Sequence, residues 1–190
     1  MVRNNFNNKF KGAIDILKRF NQNGYEAYFV GGCVRDYLLG EDFSDIDITT
    51  NALPDQVKKV FRKSIDTGIQ HGTVTILVNG DSYEVTTFRT EEDYANHRSP
   101  EKVEFVSNLR EDLDRRDFTI NAMALDYKGK LFDYHNGDND LSSKIIRTVN
   151  NPNERFYEDA LRMLRAFRFS SKLGFDIENE TLAAIKKNAQ

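Results

Sequence analysis

Cysteine is almost absent from this 190-residue chain, where Cys33 stands alone. A lone cysteine excludes a disulfide framework and a zinc cluster of thiolates. It fits a reducing, cytoplasmic setting. Histidine is scarce as well. His71, His97 and His135 share no ligand spacing with one another or with Cys33, so no metal role is expected of them. Cys33 has no paired base nearby in sequence and reads as a small buried residue rather than a nucleophile. No apolar run approaches the ~18 residues of a membrane span. Residues 1–25 are too polar for a secretory signal and too poor in arginine for a transit peptide, so no membrane partner is expected. Excess positive charge is also lacking: 27 Lys and Arg against 30 Asp and Glu give a net charge of −3. Generic binding to nucleic acid by bulk charge is therefore excluded, and any such contact must come from a local patch. Internal repeats are not visible. What is present, 39% hydrophobic and 30% charged residues, is ordinary globular composition. The length suits one domain, or one domain plus part of another, with a core that needs no staple.

Apolar residues at helical spacing (Phe10, Ile14, Leu17, Phe20) predict one helix over 8–22. A short buried strand follows at 27–31, then a glycine pair and a short helix from Val34 to Leu39. Residues 46–50 predict a strand, and Pro54 opens a helix to about Phe61. Segments 73–79 and 83–89 are β-rich and flank Asn79-Gly80-Asp81-Ser82, a hairpin signal. Residues 89–102 lose all apolar periodicity and read as a long mobile loop. A strand resumes at Val103–Val106 and a helix is expected at Leu109–Arg116. Strands follow at 122–127, 130–133 and 144–149. From Asn151 the character turns helical. Phe156, Ala160, Leu161, Leu164 and Phe167 form one apolar stripe, and a second helix starts near Asn179 with Leu182, Ile185 and Ala189.

Four constellations could carry chemistry. Gly31-Gly32-Cys33-Val34-Arg35-Asp36 sits at a strand-to-helix junction, where glycines allow close backbone approach and a helix N-terminus favours an anion. Arg35 could grip a phosphate oxygen; a tight turn with a surface arginine fits the same residues. Asp45 and Asp47 lie two apart on a predicted strand, hence on one face, with Ile46 and Ile48 facing a core. Paired carboxylates repel unless a cation lies between them, and a hard cation such as Mg²⁺ takes a few carboxylates plus substrate phosphates. A solvated edge with two surface acids is the alternative. Together these two constellations suit a nucleoside triphosphate and its metals, with Glu84 a candidate third carboxylate or simply a surface acid.

Asp114-Arg115-Arg116-Asp117, before Phe118-Thr119-Ile120-Asn121, suits the anchoring of a polyanion or an exposed helix end laced with ion pairs. Asp159, Arg162, Arg165 and Arg168 step by three along one helical face, away from Leu161, Leu164 and Phe167. Three arginines at that spacing repel one another unless an anion is near; a solvated face with one Asp–Arg pair is the other reading.

Taken in order, these motifs resemble the nucleotidyltransferase superfamily and, within it, the bacterial (class II) CCA-adding enzymes, or tRNA nucleotidyltransferases. The residues that carry the resemblance are Tyr28–Gly32 with Val34-Arg35-Asp36, Asp45-Ile46-Asp47, His71-Gly72-Thr73-Val74, Tyr83–Arg89, Arg98-x-Pro100, Arg115–Ala124 and Glu158–Arg162. It runs from about residue 25 to the end.

The resemblance implies an α+β fold: a head domain over 1–150, with a small mixed sheet and flanking helices, then the start of an all-α neck over 151–190. It implies that Asp45 and Asp47 are catalytic and hold Mg²⁺ in a two-metal arrangement. Gly32, Arg35 and Arg116 would bind the triphosphate, and Gly31, Asp117 and Asn121 would belong to the same nucleotide site. Asp159 and Arg162 would read the base, supported by Arg165 and Arg168. The 89–102 segment would match a flexible loop that helps switch nucleotide choice.

The implied substrates are CTP, ATP and the 3′ end of a tRNA, with pyrophosphate released. Alternatives are a poly(A) polymerase, a relative adding only A or only CC, or a non-catalytic nucleotide- or RNA-binding module. The stretch Thr67–Val78 looks more like the CCA-adding branch than the polymerase, and an intact 89–102 segment argues against CC-only addition. Family members continue into helical domains that hold the tRNA. A stop within a helix at Gln190 is therefore expected to mark either a fragment or a short relative, with the apolar face of its last helix exposed and prone to self-association.

Overall fold

The computed structural model describes residues 5–95 and 99–189. Its centre is a seven-stranded mixed sheet made of β1 (Ala27–Val30), β2 (Asp47–Thr50), β3 (Ser64–Gly68), β4 (Thr73–Val78), β5 (Asp81–Thr87), β8 (Met123–Leu125) and β9 (Leu131–Asp133). The spatial order is β3-β4-β5-β2-β1-β8-β9. Within this sheet only β2 and β5 run parallel, with Asp47 opposite Glu84. The β4–β5 hairpin forms as the sequence predicts but closes more tightly, on Asn79-Gly80 alone, with Val78 paired to Asp81 and Asp81-Ser82 already in β5.

The two faces of the sheet differ because side chains alternate along each strand. Phe29, Ile48, Val74 and Val85 enter the main core. That core is covered by α1 (Phe6–Lys9), α2 (Ile14–Gln22), α3 (Gly32–Leu39) and α4 (Pro54–Val60). Phe10 stacks on Phe29 with ring centroids 4.3 Å apart, each wholly buried. Such burial contributes about 1.5–3 kcal/mol per side chain. The opposite face carries Val30, Phe88 and Ala124 under α5 (Leu109–Asp114) in a smaller cluster. In register with Val30 is Asp47. The acid therefore stands on the side of the sheet away from the aromatic core.

The helix expected over 8–22 is two helices. Its apolar residues are all buried, but a turn through Phe10–Ala13 interrupts it at Gly12, a weak helix former. The strand expected at 46–50 begins at Asp47, so Asp45 and Ile46 precede it. The segment expected as a loop at 89–102 is largely a ribbon of β6 (Arg89–Ala95) and β7 (Ser99–Phe105), paired Arg89 to Phe105 and Tyr94 to Pro100. An antiparallel ladder satisfies its own backbone groups, and a ribbon outside the main sheet leaves no apolar alternation to read. His97 and Arg98 lie outside the described residues. The ribbon's base is fixed: Arg89 Nη1 donates to the His71 carbonyl, and the Phe105 ring lies 2.6 Å from where a Cβ on Gly72 would be. Only glycine admits that approach.

The strand expected at 144–149 shrinks to β10 (Ile145–Ile146), paired with β11 (Asp176–Ile177). Before it lies α6 (Gly137–Ser142), anchored by the Asp133 carboxylate, which accepts from the N–H groups of Gly137 and Asp138.

The C-terminal part folds as α7 (Pro152–Glu158), α8 (Leu161–Leu173) and α9 (Asn179–Asn188). The stripe expected across 156–167 does not form one buried face. Asp159 takes an extended conformation (φ −138°, ψ 105°) and ends α7, which turns α8 over. Phe156 and Ala166 are buried, but Leu161, Leu164 and Phe167 are 42%, 66% and 49% exposed. The face expected to lie open on α9 is covered in part: Ile185 is buried beside Thr181 and Ala184, Leu182 is half-buried and Ala189 is exposed. These helices share the main core through Phe156, Ala166, Phe175 and Ile185. Among the described residues no helix is long and apolar enough to cross a membrane.

Candidate active site

The site grows from the β1–α3 junction. Gly31 has φ 77° and ψ −135° and caps α3. A Cβ there would lie 3.6 Å from Asp47 Oδ2 and 3.7 Å from Arg116 Nη1. One backbone turn, one strand carboxylate and one guanidinium thus converge. Asp45 is exposed beside them. It lines, with Asp47, Gly32 and Lys172, a cleft of about 320 Å³.

The Asp47 carboxyl is raised above the ordinary aspartate range. Partial burial is the main cause, the negative charge of Glu84 adds to it, Arg116 opposes it, and Asp45 raises it further. The residue as a whole is exposed, but its carboxylate points into the cleft among these groups. Excess negative charge of this kind is what a divalent cation relieves, and an all-oxygen donor set suits Mg²⁺. Asp45 and Asp47 therefore fit the metal the sequence implies. Among the described residues no cluster of three or more His, Cys, Asp or Glu is gathered to hold a metal. Glu84 stands next to Asp47 in register without completing a cage. A two-carboxylate site completed by substrate phosphates is consistent with that arrangement.

Arg35 does not stand open as a phosphate grip. It is 4% exposed, donates from Nε and Nη2 to the Asp36 carboxylate at 2.8 and 2.9 Å, and from Nη1 to Asn121 Oδ1 at 2.8 Å. Asn121 in turn donates to Asp117 Oδ1 at 3.2 Å. Asp117 Oδ2 accepts from Arg165 Nε and Nη2 at 2.8 and 2.6 Å. The guanidinium groups of Arg35 and Arg165 both lie over the Phe169 ring, 5.2 and 5.4 Å from its centroid. The chain Asp36–Arg35–Asn121–Asp117–Arg165 thus ties α3 to α8. Arg35, Asp117 and Asn121 hold the site's shape through bonds within the protein.

A second cleft, about 230 Å³, is lined by Arg115, Arg116, Asp117, Asp159, Arg162 and Arg165 together with Glu91. Asp159 Oδ1 accepts from the Leu161 N–H at 2.9 Å and so caps α8. Arg162 is 6% exposed. It is oriented by Glu158 Oε2 at 2.6 Å and by the carbonyls of Arg155 and Arg115 at 3.1 and 3.2 Å. Arg168 is exposed and does not line this cleft. Of the expected arginine face, Arg162 is buried, Arg165 lines the cleft while its side chain stays 46% exposed, and Arg168 lies outside it.

Sequence reasoning missed Asp112. It is wholly buried, meets Arg115 Nε at 3.0 Å and Arg116 Nη2 at 3.1 Å, and accepts from Thr49 Oγ1 at 3.1 Å and the Arg89 N–H at 3.3 Å. Its spacing of three and four from the two arginines was the available signal. Phe169, between two guanidinium groups, was missed too. Cys33 is buried, and burial pushes its thiol up to about 12, so it is inert as a nucleophile. A wider cleft of about 500 Å³ between Asn150–Asn153 and α9 lies apart from all these residues.

This arrangement has known counterparts. Residues 27–147 match the family described as the poly A polymerase head domain. A CCA-adding enzyme of Ligilactobacillus salivarius (strain UCC118) is 54% identical over 189 residues, covering all of this chain and 47% of the relative. One of Enterococcus faecalis (strain ATCC 700802 / V583) is 54% identical over 178 residues, covering 94% and 44%. The crystal structure of the Bacillus stearothermophilus CCA-adding enzyme in complex with CTP superimposes with a TM-score of 0.89 at 49% identity, over 95% of this chain and 44% of that one. The chain spans about half the length of the curated relatives it matches. With 121 of its residues inside the matched segment, the chain belongs to the poly A polymerase head domain family.

Proposed function

We propose that this chain carries the nucleotide-binding and catalytic part of a template-independent nucleotidyltransferase that adds CCA to the 3′ end of tRNA from CTP and ATP. Residues 1–150 would be the head domain and 151–190 the start of the helical neck. The observation that carries this reading is the convergence of Asp47, Gly31 and Arg116 at one turn. The relatives named CCA-adding enzyme and the solved complex with CTP support the choice of substrate class.

In the proposed reaction the tRNA 3′-hydroxyl gives up its proton to solvent, its oxygen bonds to the α-phosphorus, and the bond from that phosphorus to pyrophosphate breaks. Asp45 and Asp47 would hold Mg²⁺, which when bound polarises the hydroxyl and the phosphate and neutralises the leaving group. Gly31 and Gly32 keep the backbone close to the phosphates, and Arg116 offers positive charge beside them. Asp159 and Arg162 face the second cleft as an acceptor and a donor. Cytosine and adenine both present an amino donor beside a ring-nitrogen acceptor, which complements the pair. Uracil and guanine present a carbonyl beside an N–H and would leave both partners mismatched and desolvated, at a cost of about 1–3 kcal/mol for each unmade bond.

Calorimetry of CTP, ATP, GTP and UTP with Mg²⁺ tests the reading. CTP and ATP are expected to bind, GTP and UTP not to. Equal binding of all four, or unchanged discrimination in Asp159→Ala and Arg162→Ala, contradicts the base-reading role. The family's description favours one rival, a poly(A) polymerase, which would extend a primer with A alone; incorporation of C onto tRNA lacking its 3′ end separates the two. The exposed Leu161, Leu164 and Phe167 make a patch through which isolated chains are expected to associate. Light scattering that shows a monomer at high concentration counts against this.

A further inference from the structure

Lys172 stands outside the hydrogen-bonded network that shapes the site. It lies in the last turn of α8, exposed, and among the described residues it makes no hydrogen bond or ion pair. It nevertheless lines the cleft that holds Asp45 and Asp47. The other cation of that cleft, Arg35, is committed to Asp36 and Asn121 and covered by Phe169. Asp42, on the same wall, is paired with Lys9. Lys172 is thus the cation in this cleft that is left available to an incoming anion. The cleft also opens on Gly32, the first residue of α3, and a helix N-terminus adds its own preference for negative charge.

The position suits a polyphosphate. Helix α8 turns Arg162 toward the cleft proposed to read the base and Lys172 toward the acidic cleft. Ten residues separate them in sequence, about 15 Å of helix, comparable with an extended nucleoside triphosphate. A compact ammonium on a flexible stem can follow a phosphate group that moves away as its bond breaks.

We propose that Lys172 binds the terminal phosphates of the nucleoside triphosphate and the pyrophosphate that leaves. This rests on the nucleotidyl-transfer reading above and adds a residue that positions the phosphate tail. The test is calorimetry of CTP and CMP, each with Mg²⁺, on the wild-type chain, Lys172→Gln and Lys172→Arg, with thermal unfolding to show that all three are folded. The wild type is expected to bind CTP more tightly than CMP. Lys172→Gln should weaken CTP about tenfold, the scale of one charge-assisted hydrogen bond, leave CMP unchanged, and be largely rescued by Lys172→Arg. Equal weakening of CTP and CMP would make the role structural and overturn the proposal. So would a wild-type preference for CTP that survives unchanged in Lys172→Gln, in which case the nucleotidyl-transfer reading stands without Lys172. A wild type that does not distinguish CTP from CMP overturns both.

Discussion

Asp47 and Asp112 stand on the same side of the sheet and share a neighbour, Arg116, yet their environments push them in opposite directions. Burial opposes ionisation of Asp112, but Arg115 and Arg116 outweigh it and hold the carboxyl below the ordinary range. Partial burial raises Asp47 as well, but there Glu84 and Asp45 add to it, Arg116 alone opposes them, and the carboxyl is held above the ordinary range. The first acid is compensated by the protein itself. The second is left with surplus negative charge, which is costly unless something from outside supplies the positive partner. The difference separates an acid that holds the structure from one that is kept for a ligand.

Breaking the compensated acid should have the largest effect. Asp112→Ala strands two guanidinium groups and removes the acceptor for Thr49 and the Arg89 N–H. A loss of about 3–5 kcal/mol is expected, read as a lower urea midpoint. Arg116→Gln, which touches both acids, should cost less stability because Arg115 still serves Asp112. It should raise both carboxyl pKa values and weaken nucleotide binding. Asp47→Asn should leave stability unchanged or improve it by less than about 1 kcal/mol, given solvent screening. It should cut turnover by about a thousandfold, the scale of several kcal/mol of lost charge stabilisation. A large stability loss in Asp47→Asn would erase the contrast.

The pH dependence sharpens it. Asp112 ionises more easily folded than unfolded, so its stabilisation is present above the ordinary aspartate pKa and is lost as the pH falls below it. Asp47 holds its proton more tightly when folded, so it disfavours folding increasingly as the pH rises from the ordinary value through its raised one. Stability curves of Asp47→Asn and the wild type should therefore converge in acid and separate above it. Mg²⁺ should close that gap for the wild type, by about 1 kcal/mol at a few times its dissociation constant, and do nothing for Asp47→Asn.

Much of this site is visible in the order of residues, because local rules write it there. The glycine pair that caps and opens α3, the Asn79-Gly80 loop and the helix openings at Pro54 and Pro152 follow from backbone preference. The sequence pattern also shows that α8 has an arginine face and an apolar face. It does not show which one turns inward. That choice depends on Asp117, Glu158 and Phe169 meeting the arginines, through contacts as distant in sequence as Arg165 with Asp117. The 89–102 part of the ribbon leaves no signal because its pairing is carried by the backbone. Asp112 was passed over because an acid three and four residues before two arginines reads as a surface ion pair until its burial is known.

Carboxyl titration by NMR, with and without Mg²⁺, tests the contrast most directly. Asp47 should titrate above the ordinary aspartate value and drop when Mg²⁺ is added, while Asp112 titrates below it and does not respond. Like titration of the two, or a Mg²⁺ response at Asp112 and none at Asp47, would contradict the account.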